Sequence, residues 1–192
     1  MTFAGIDYSM TCPAMTILNQ DLGKYSFYYL HKVSKRVVNE PGRLESDLLD
    51  KNESVIEGNR QGETLLSMRR FDKIASWFIE RIVREAVDVV FIENYSFGSR
   101  GGLAFSIAEN TTTLKMKLYN LNIKTRIIPP TTVKKFATGK GTATKEMMVD
   151  AFHGVMPPFE VLQEYSHDSP YTDLVDSYWV LQSGLDLTSQ KA

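Results

Sequence analysis

Apolar residues in the N-terminal part of the chain recur in short runs that are bounded by turn-forming residues. Three such runs cover residues 2–8, 14–19 and 25–31, and only short connections separate them. This spacing predicts three consecutive strands in an antiparallel meander. Residues 34–62, by contrast, are polar and contain one proline and three glycines. We interpret this stretch as a long, partly mobile connection in which a short helix is one option.

Helical and strand patterns alternate along the rest of the chain. Residues 63–86 place apolar side chains at helical spacing over about six turns. A continuous apolar run at 88–93, which ends in an acid, predicts a strand buried on both faces, and residues 124–128, which two prolines follow, predict another strand. The remaining helical patterns cover residues 103–121, 131–138, 142–155 and 173–185. Strands that alternate with helices after a meander indicate an α/β fold of three layers with a mixed sheet of five strands.

The length and composition narrow the class of protein. A chain of 192 residues, of which 43% are hydrophobic and 23% charged, can bury its own core, and we expect residues 1–192 to form a single domain. Cys12 is the only cysteine, so an internal disulfide is excluded, and no Cys/His cluster has zinc-site spacing. No apolar run approaches the roughly 18 residues of a membrane span, and the N-terminus lacks a signal-peptide pattern. We therefore expect a soluble protein of a reducing compartment, with no membrane partner.

The net charge of −1 hides a strongly uneven distribution of charge along the chain. Residues 111–145 carry eight basic side chains and no acidic one, whereas residues 146–192 carry one basic and eight acidic side chains. A basic stretch of this kind is typical of a surface that faces phosphate groups. The alternative is a solvated surface on which the charges are scattered in space.

Acidic residues stand at the points where the predicted sheet would bring them together. Asp7 closes the first predicted strand and Glu93 the fourth, and ligands of α/β sheets collect at the carboxyl ends of parallel strands. Asp173 and Asp176 are three residues apart and share one face of the last helix. Such carboxylates repel one another unless cations join them, and oxygen ligands suit Mg²⁺ or Mn²⁺. The alternative is that each acid merely caps a turn or a helix.

Four local motifs resemble, in the same order, those of the RuvC-type Holliday junction resolvases of the RNase H-like superfamily. The four are Gly5-Ile6-Asp7-Tyr8-Ser9-Met10-Thr11, Phe91-Ile92-Glu93, Val133-Lys134 with Gly139, Gly141, Ala143 and Lys145 after it, and Asp173-Leu174-Val175-Asp176-Ser177. The resemblance covers roughly residues 1–31 and 63–185. The lysine–glycine motif is the most specific of the four.

The resemblance implies an RNase H-like fold and a metal-dependent DNA endonuclease. Such an enzyme resolves four-way (Holliday) junctions by paired symmetric nicks in DNA recombination, repair or the processing of replication intermediates. It implies two Mg²⁺ ions per active site, with Mn²⁺ as a substitute, held by Asp7, Glu93, Asp173 and Asp176. The resemblance also implies that Lys145 is a further catalytic residue, which would lie beside the scissile phosphate.

A four-way junction has two-fold symmetry, and a homodimer supplies two active sites with the same symmetry. The candidate dimer face lies on the predicted helices at 63–86 and 103–121. The apolar side chains that could fill it are Phe105, Leu114, Met116, Leu118 and Tyr119, and the alternative for most of them is packing against the sheet.

DNA contacts are expected from the basic motif and from the segment after Glu93. Lys134 would hold a backbone phosphate, and Lys135 and Lys140 are weaker candidates. Arg100 lies in the glycine-rich loop 98–102. The family often stacks an aromatic residue at the position of Ser96, which is flanked here by two aromatic candidates, Tyr95 and Phe97.

Besides Ser96, two further features depart from the family pattern. The connection at 34–62 is longer than in compact bacterial members, which suggests a phage, viral or organellar-type relative. We accordingly expect a cytoplasmic protein of a bacterial or phage-infected cell, with an organelle as the other setting. His167 and Asp168 lie near the last two acids and are alternative metal ligands.

Three other functions compete with junction resolution. An RNase H-like nuclease could act on flapped, branched or RNA–DNA hybrid substrates with the same acids. A non-catalytic nucleic-acid-binding module would be expected to lack some of the acids, and all four positions are filled. An actin-like ATPase could begin with Gly5-x-Asp7-x-Ser9-x-Thr11, but the chain contains no second glycine-rich acidic motif, so we expect no nucleotide cofactor.

Overall fold

A mixed sheet, covered by helices on both faces, organises the described part of the chain. The computed structural model describes residues 1–32, 43–49, 60–94 and 102–190. The strands are β1 (Thr2–Asp7), β2 (Ala14–Asn19), β3 (Lys24–Lys32), β4 (Leu44–Leu49), β5 (Val89–Glu93) and β6 (Lys124–Ile128). The helices are α1 (Arg60–Arg84), α2 (Gly102–Asn120), α3 (Pro130–Thr138), α4 (Lys145–His153) and α5 (Tyr171–Ser189), with a short 3-10 helix at Glu160–Tyr165.

The six strands are arranged in the order β4-β3-β2-β1-β5-β6. Strands β1, β2 and β3 pair antiparallel, which confirms the predicted meander. Strand β5 is parallel to both β1 and β6. The register pairs Ile6 with Ile92, so Asp7 and Glu93 follow at the same edge of the sheet.

The prediction of five strands is wrong, because the described residues contain a sixth strand inside the predicted connection. Strand β4 pairs parallel to β3 at the edge of the sheet. Its sequence, LESDLL, lacks the apolar–polar alternation that marks a strand. Contacts distant in sequence hold it instead: Leu44 is buried, and Glu45 accepts hydrogen bonds from Arg81 and Arg84 of α1, at 2.6 and 3.0 Å. The remainder of the predicted connection, up to Arg60 where α1 begins, lies mainly outside the described residues.

Two hydrophobic layers enclose the sheet, which confirms the predicted three-layer α/β fold. Alternate residues of each central strand point to opposite faces. Phe3 and Phe91 belong to the layer beneath α3, α4 and α5. Ile6 and Ile92 belong to the layer beneath α1 and α2. Among the described residues, no helix has the length and hydropathy that crossing a membrane requires.

Helix α5 crosses the centre of the sheet at very short distance. A Cβ atom on Gly5 of β1 would lie 2.5 Å from the carbonyl oxygen of Ser177, and one on Gly184 of α5 would overlap the ring of Phe91. The hydroxyls of Ser177 and Thr16 form a buried hydrogen bond of 2.8 Å between α5 and β2. Glycine is therefore required at Gly5 by close backbone approach.

We expect Gly5→Ala to lower the free energy of unfolding by about 2–3 kcal/mol, because the added methyl group meets backbone atoms that no rotamer change can move aside. The matched control is Gly154→Ala, since Gly154 has a right-handed helical conformation and a Cβ there finds ordinary contact distances. Urea unfolding of both variants measures the difference. Equal stabilities would contradict the close packing of α5 on β1.

Candidate active site

Four carboxylates converge at one edge of the sheet. Asp7 and Glu93 end the adjacent parallel strands β1 and β5. Asp173 and Asp176 lie in the first two turns of α5, which crosses β1. Because α5 begins above this edge, its two acids face those of the strands. The structure therefore brings together all four acids that the sequence analysis singled out.

Three of these carboxylates, those of Asp7, Glu93 and Asp176, have raised pKa values because they are buried close to other acids. Burial raises the pKa of Glu93 to about 7, and the charge of Asp176 contributes to the shift. Burial raises the pKa of Asp176 to about 6, although the charge of Lys145 acts in the opposite direction. The pKa of Asp7 is raised well above its usual value by burial and then by the charges of Asp176, Asp173 and Glu93. The fold therefore keeps these carboxylates together although their negative charges repel one another.

Lys145 supplies positive charge to the two acids of α5. Its ammonium nitrogen lies 3.7 Å from Oδ1 of Asp173 and 3.6 Å from Oδ2 of Asp176. The same nitrogen donates a hydrogen bond of 3.3 Å to the hydroxyl of Thr172. Lys145 is the first residue of α4, and the side chain of Thr144 caps that helix by accepting from the backbone N–H of Met147. This cap fixes where α4 begins and therefore where the backbone of Lys145 lies relative to α5.

An open cleft of about 510 Å³ lies over the acids. Asp7, Glu93 and Asp176 line it, together with the basic residues Lys134 and Lys145. The other predicted basic contacts, Lys135 and Lys140, are exposed but do not line the cleft. The alternative metal ligands His167 and Asp168 are also exposed and outside it. Arg100, Tyr95 and Phe97 lie outside the described residues, and their roles stay predictions.

The architecture resembles solved structures although the sequence matches no family model and no curated protein. Thermus thermophilus RuvC has a TM-score of 0.59 at 18% identity, over 98% of this chain and 97% of that one. The structure of T. thermophilus RuvC in complex with a Holliday junction substrate has a TM-score of 0.59 at 13% identity, over 99% of this chain and 96% of that one. The yeast mitochondrial Holliday junction resolvase Ydc2 has a TM-score of 0.57 at 12% identity, over 98% of this chain and 79% of that one.

The chain has the RuvC fold. This known architecture includes the antiparallel meander, the central parallel strands and helix α5, which crosses the sheet. The motifs that resemble those of the resolvases lie in strands β1 and β5, in the segment from α3 to α4 and in α5. In the RuvC fold of this chain, these distant segments meet around the cleft.

Three residues of the site were missed by the sequence analysis. Arg70 of α1 donates to the carbonyl oxygen of Met10 at 2.5 Å and so holds the loop between β1 and β2, which lines the cleft. The sequence signal for Arg70 is its spacing, because it lies four residues before buried Ile74 and so on the same face of α1. Thr172, which binds Lys145, is almost fully buried. The pKa of the Cys12 thiol is raised by burial and by the adjacent carboxylate of Asp173, so this cysteine is not a reactive thiolate.

The donor set fits a hard divalent cation such as Mg²⁺ or Mn²⁺. Oδ2 of Asp173 is buried without a hydrogen-bond partner, and the ammonium of Lys145 stands between two carboxylates as a cation would. No three histidine, cysteine or acidic side chains in the described residues are already arranged around one ion position. The number of ions stays a prediction.

We expect the metal-free protein to lose stability as the pH rises from about 4.5 to about 7. Glu93 has an ordinary pKa of 4.5 and a folded pKa of about 7. The folded state therefore binds more protons than the unfolded state in this window, and deprotonation favours unfolding. By the same reasoning, Asp7→Asn removes one repelling charge and should raise the free energy of unfolding at pH 8 by roughly 1–3 kcal/mol.

Urea unfolding in EDTA at pH 5 and pH 8 measures both effects. The matched control is Asp150→Asn, which removes an exposed carboxylate of α4 outside the cleft. This control should change stability by less than about 0.5 kcal/mol. A less stable Asp7→Asn protein at pH 8 would show that the acids are not mutually repulsive.

Proposed function

We propose that this chain is a metal-dependent, structure-specific DNA endonuclease that resolves four-way (Holliday) junctions by paired symmetric nicks. The observation that carries the proposal is the cleft in which carboxylates from β1, β5 and α5 face Lys134 and Lys145. Acids that bind cations and lysines that bind phosphate together suit the hydrolysis of a phosphodiester. The RuvC fold supports the choice of substrate, because T. thermophilus RuvC with this fold is solved with a Holliday junction.

The acids and the lysines of the site have separate tasks in this reaction. Asp7, Glu93, Asp173 and Asp176 would hold Mg²⁺ or Mn²⁺. When bound, the metal supplies Lewis-acid chemistry for in-line phosphodiester hydrolysis, and two ions are the arrangement we propose. Lys145 offsets the negative charge that develops on the scissile phosphate. Lys134 binds a neighbouring backbone phosphate at the wall of the cleft.

The segment between α3 and α4 extends the basic surface beyond the cleft. Gly139 ends α3 in a left-handed conformation, at φ 77°. The hydroxyl of Thr138 donates to the carbonyl oxygen of Lys134 at 2.9 Å and accepts from the N–H of Lys140 at 3.2 Å, which stiffens the turn. Lys135 and Lys140 are exposed on this surface. We propose that they bind a DNA arm outside the active site by phosphate contacts, which position DNA without reading its sequence.

A homodimer is the second part of the proposal, because two coordinated nicks need two sites related by two-fold symmetry. Phe105, Met116 and Tyr119 share one face of α2 and are 74%, 53% and 76% exposed. Leu114 and Leu118 belong instead to the core beneath α1 and α2, so these two candidates for the dimer face were wrong. The exposed apolar face of α2 is the surface that we propose for the dimer.

We expect the wild-type protein to nick a labelled four-way DNA junction symmetrically near the crossover in Mg²⁺ and not in EDTA. Asp7→Asn should slow cleavage by roughly 1,000-fold or more, because it removes a cation ligand. Asp150→Asn is the control and should cleave at the wild-type rate. A gel assay with duplex, flap and RNA–DNA hybrid substrates beside the junction measures selectivity.

The same assay distinguishes the competing functions. Cleavage of the hybrid or flap without junction cleavage would assign the site to a different RNase H-like nuclease. Junction binding without cleavage in either Mg²⁺ or Mn²⁺ would indicate a binding module.

We expect the wild-type chain to be dimeric at micromolar concentration and the double variant Phe105→Ser/Tyr119→Ser to be monomeric, because the apolar area that drives association is lost. Sedimentation velocity measures the mass in solution. Leu22→Ser is the control, since Leu22 is equally exposed, at 73%, in the turn between β2 and β3. A dimer that survives the double substitution would exclude this face of α2.

A further inference from the structure

We propose that Lys145 is an internal counter-ion: its ammonium occupies the cation position between Asp173 and Asp176 in the metal-free protein and leaves it when a divalent cation binds. The displaced ammonium then becomes available to the DNA phosphate. This inference rests on the proposed function, and it concerns the affinity of the site for metal rather than the hydrolysis step.

The geometry around the ammonium carries the first part of the argument. The nitrogen is almost equally distant from the two acids, at 3.7 Å from Asp173 and 3.6 Å from Asp176. The hydrogen bond to Thr172, at 3.3 Å, anchors it on the same turn of α5. One lysine thus neutralises part of two carboxylates from a single position, as a bound cation would.

The position of Lys145 in α4 supports this reading. It is the first residue of its helix, where the helix dipole repels a positive charge. Asp173 lies in the first turn of α5, where the dipole favours a negative charge. Lys145 is therefore held at the start of α4 by the two acids of α5, and not by the dipole of its own helix.

The ammonium and a divalent cation cannot both use the facing oxygens of Asp173 and Asp176, because two cations within about 4 Å repel strongly. Oδ2 of Asp173 remains without a partner beside Lys145. The lysine side chain is 58% exposed and lines the open cleft, so it has room to withdraw from the two acids into the cleft. Metal binding should therefore release Lys145 for DNA, and by linkage DNA that engages Lys145 should strengthen metal binding.

The test is a titration with Mn²⁺ in the absence of DNA, in which electron paramagnetic resonance measures free Mn²⁺. Lys145→Met and Lys145→Gln remove the competing charge and should bind Mn²⁺ roughly threefold to tenfold more tightly than the wild type. The second variant keeps a polar head group in case the first folds poorly. Lys124→Met is the control, because it removes the same charge from an exposed position on β6 and should leave the affinity unchanged within about twofold.

Thermal unfolding provides a second readout that does not depend on activity. Without metal, Lys145→Met should melt below the wild type, since the carboxylates lose their counter-ion. Saturating Mn²⁺ should then raise its melting temperature by more than it raises that of the wild type, because tighter binding to the folded state stabilises it more.

The outcomes separate this inference from the proposed function. If the wild type binds Mn²⁺, Asp7→Asn does not, and both Lys145 variants bind with unchanged or weaker affinity, the counter-ion role is refuted and the proposed nuclease stands. If none of the proteins binds Mn²⁺, the metal-dependent function fails and the counter-ion role fails with it. Tighter binding in both Lys145 variants, with no change in Lys124→Met, is the result that supports it.

Discussion

The close contact between α5 and the centre of the sheet is the constraint on which the rest of the molecule depends. Gly5 lets the backbone of α5 approach β1 directly, Gly184 makes room for the ring of Phe91, and the buried pair Ser177–Thr16 locks the helix onto β2. A larger residue at Gly5 would push α5 away from β1. Asp173 would then no longer face the ends of β1 and β5, so the packing of one buried glycine decides whether there is a site at all.

That packing also has an electrostatic cost. The fold brings four carboxylates together in a poorly hydrated place, and burial with mutual repulsion raises the pKa of Asp7 and Glu93. A sequence selected for stability alone would not retain such a cluster, and strained or repulsive arrangements of this type concentrate at functional sites. Lys145 reduces the repulsion from one side. The residual negative charge is what makes the cleft suited to cations.

The basic stretch at 111–145 has several uses in the structure. Lys134 and Lys145 reach the cleft, as a phosphate-facing surface requires. Lys117 forms an ion pair of 2.9 Å with Asp72 of α1, and Arg126 donates to the hydroxyl of Thr188 in α5. The run of charge is therefore divided between the proposed phosphate-facing surface and ordinary pairing between elements. A linear count of charges does not separate these uses, because it contains no information on which side chains share a surface.

The sequence by itself determined the strands of the meander, the acids at the ends of β1 and β5 and the acid pair on one face of α5. These follow from local periodicity, since strand and helix repeats fix which neighbours share a face. Only the tertiary structure decided that β4 joins the sheet, that Arg70 holds the loop beside Asp7 and that Lys145 stands between two acids. Each of these depends on contacts between residues far apart in the chain, which no local pattern specifies.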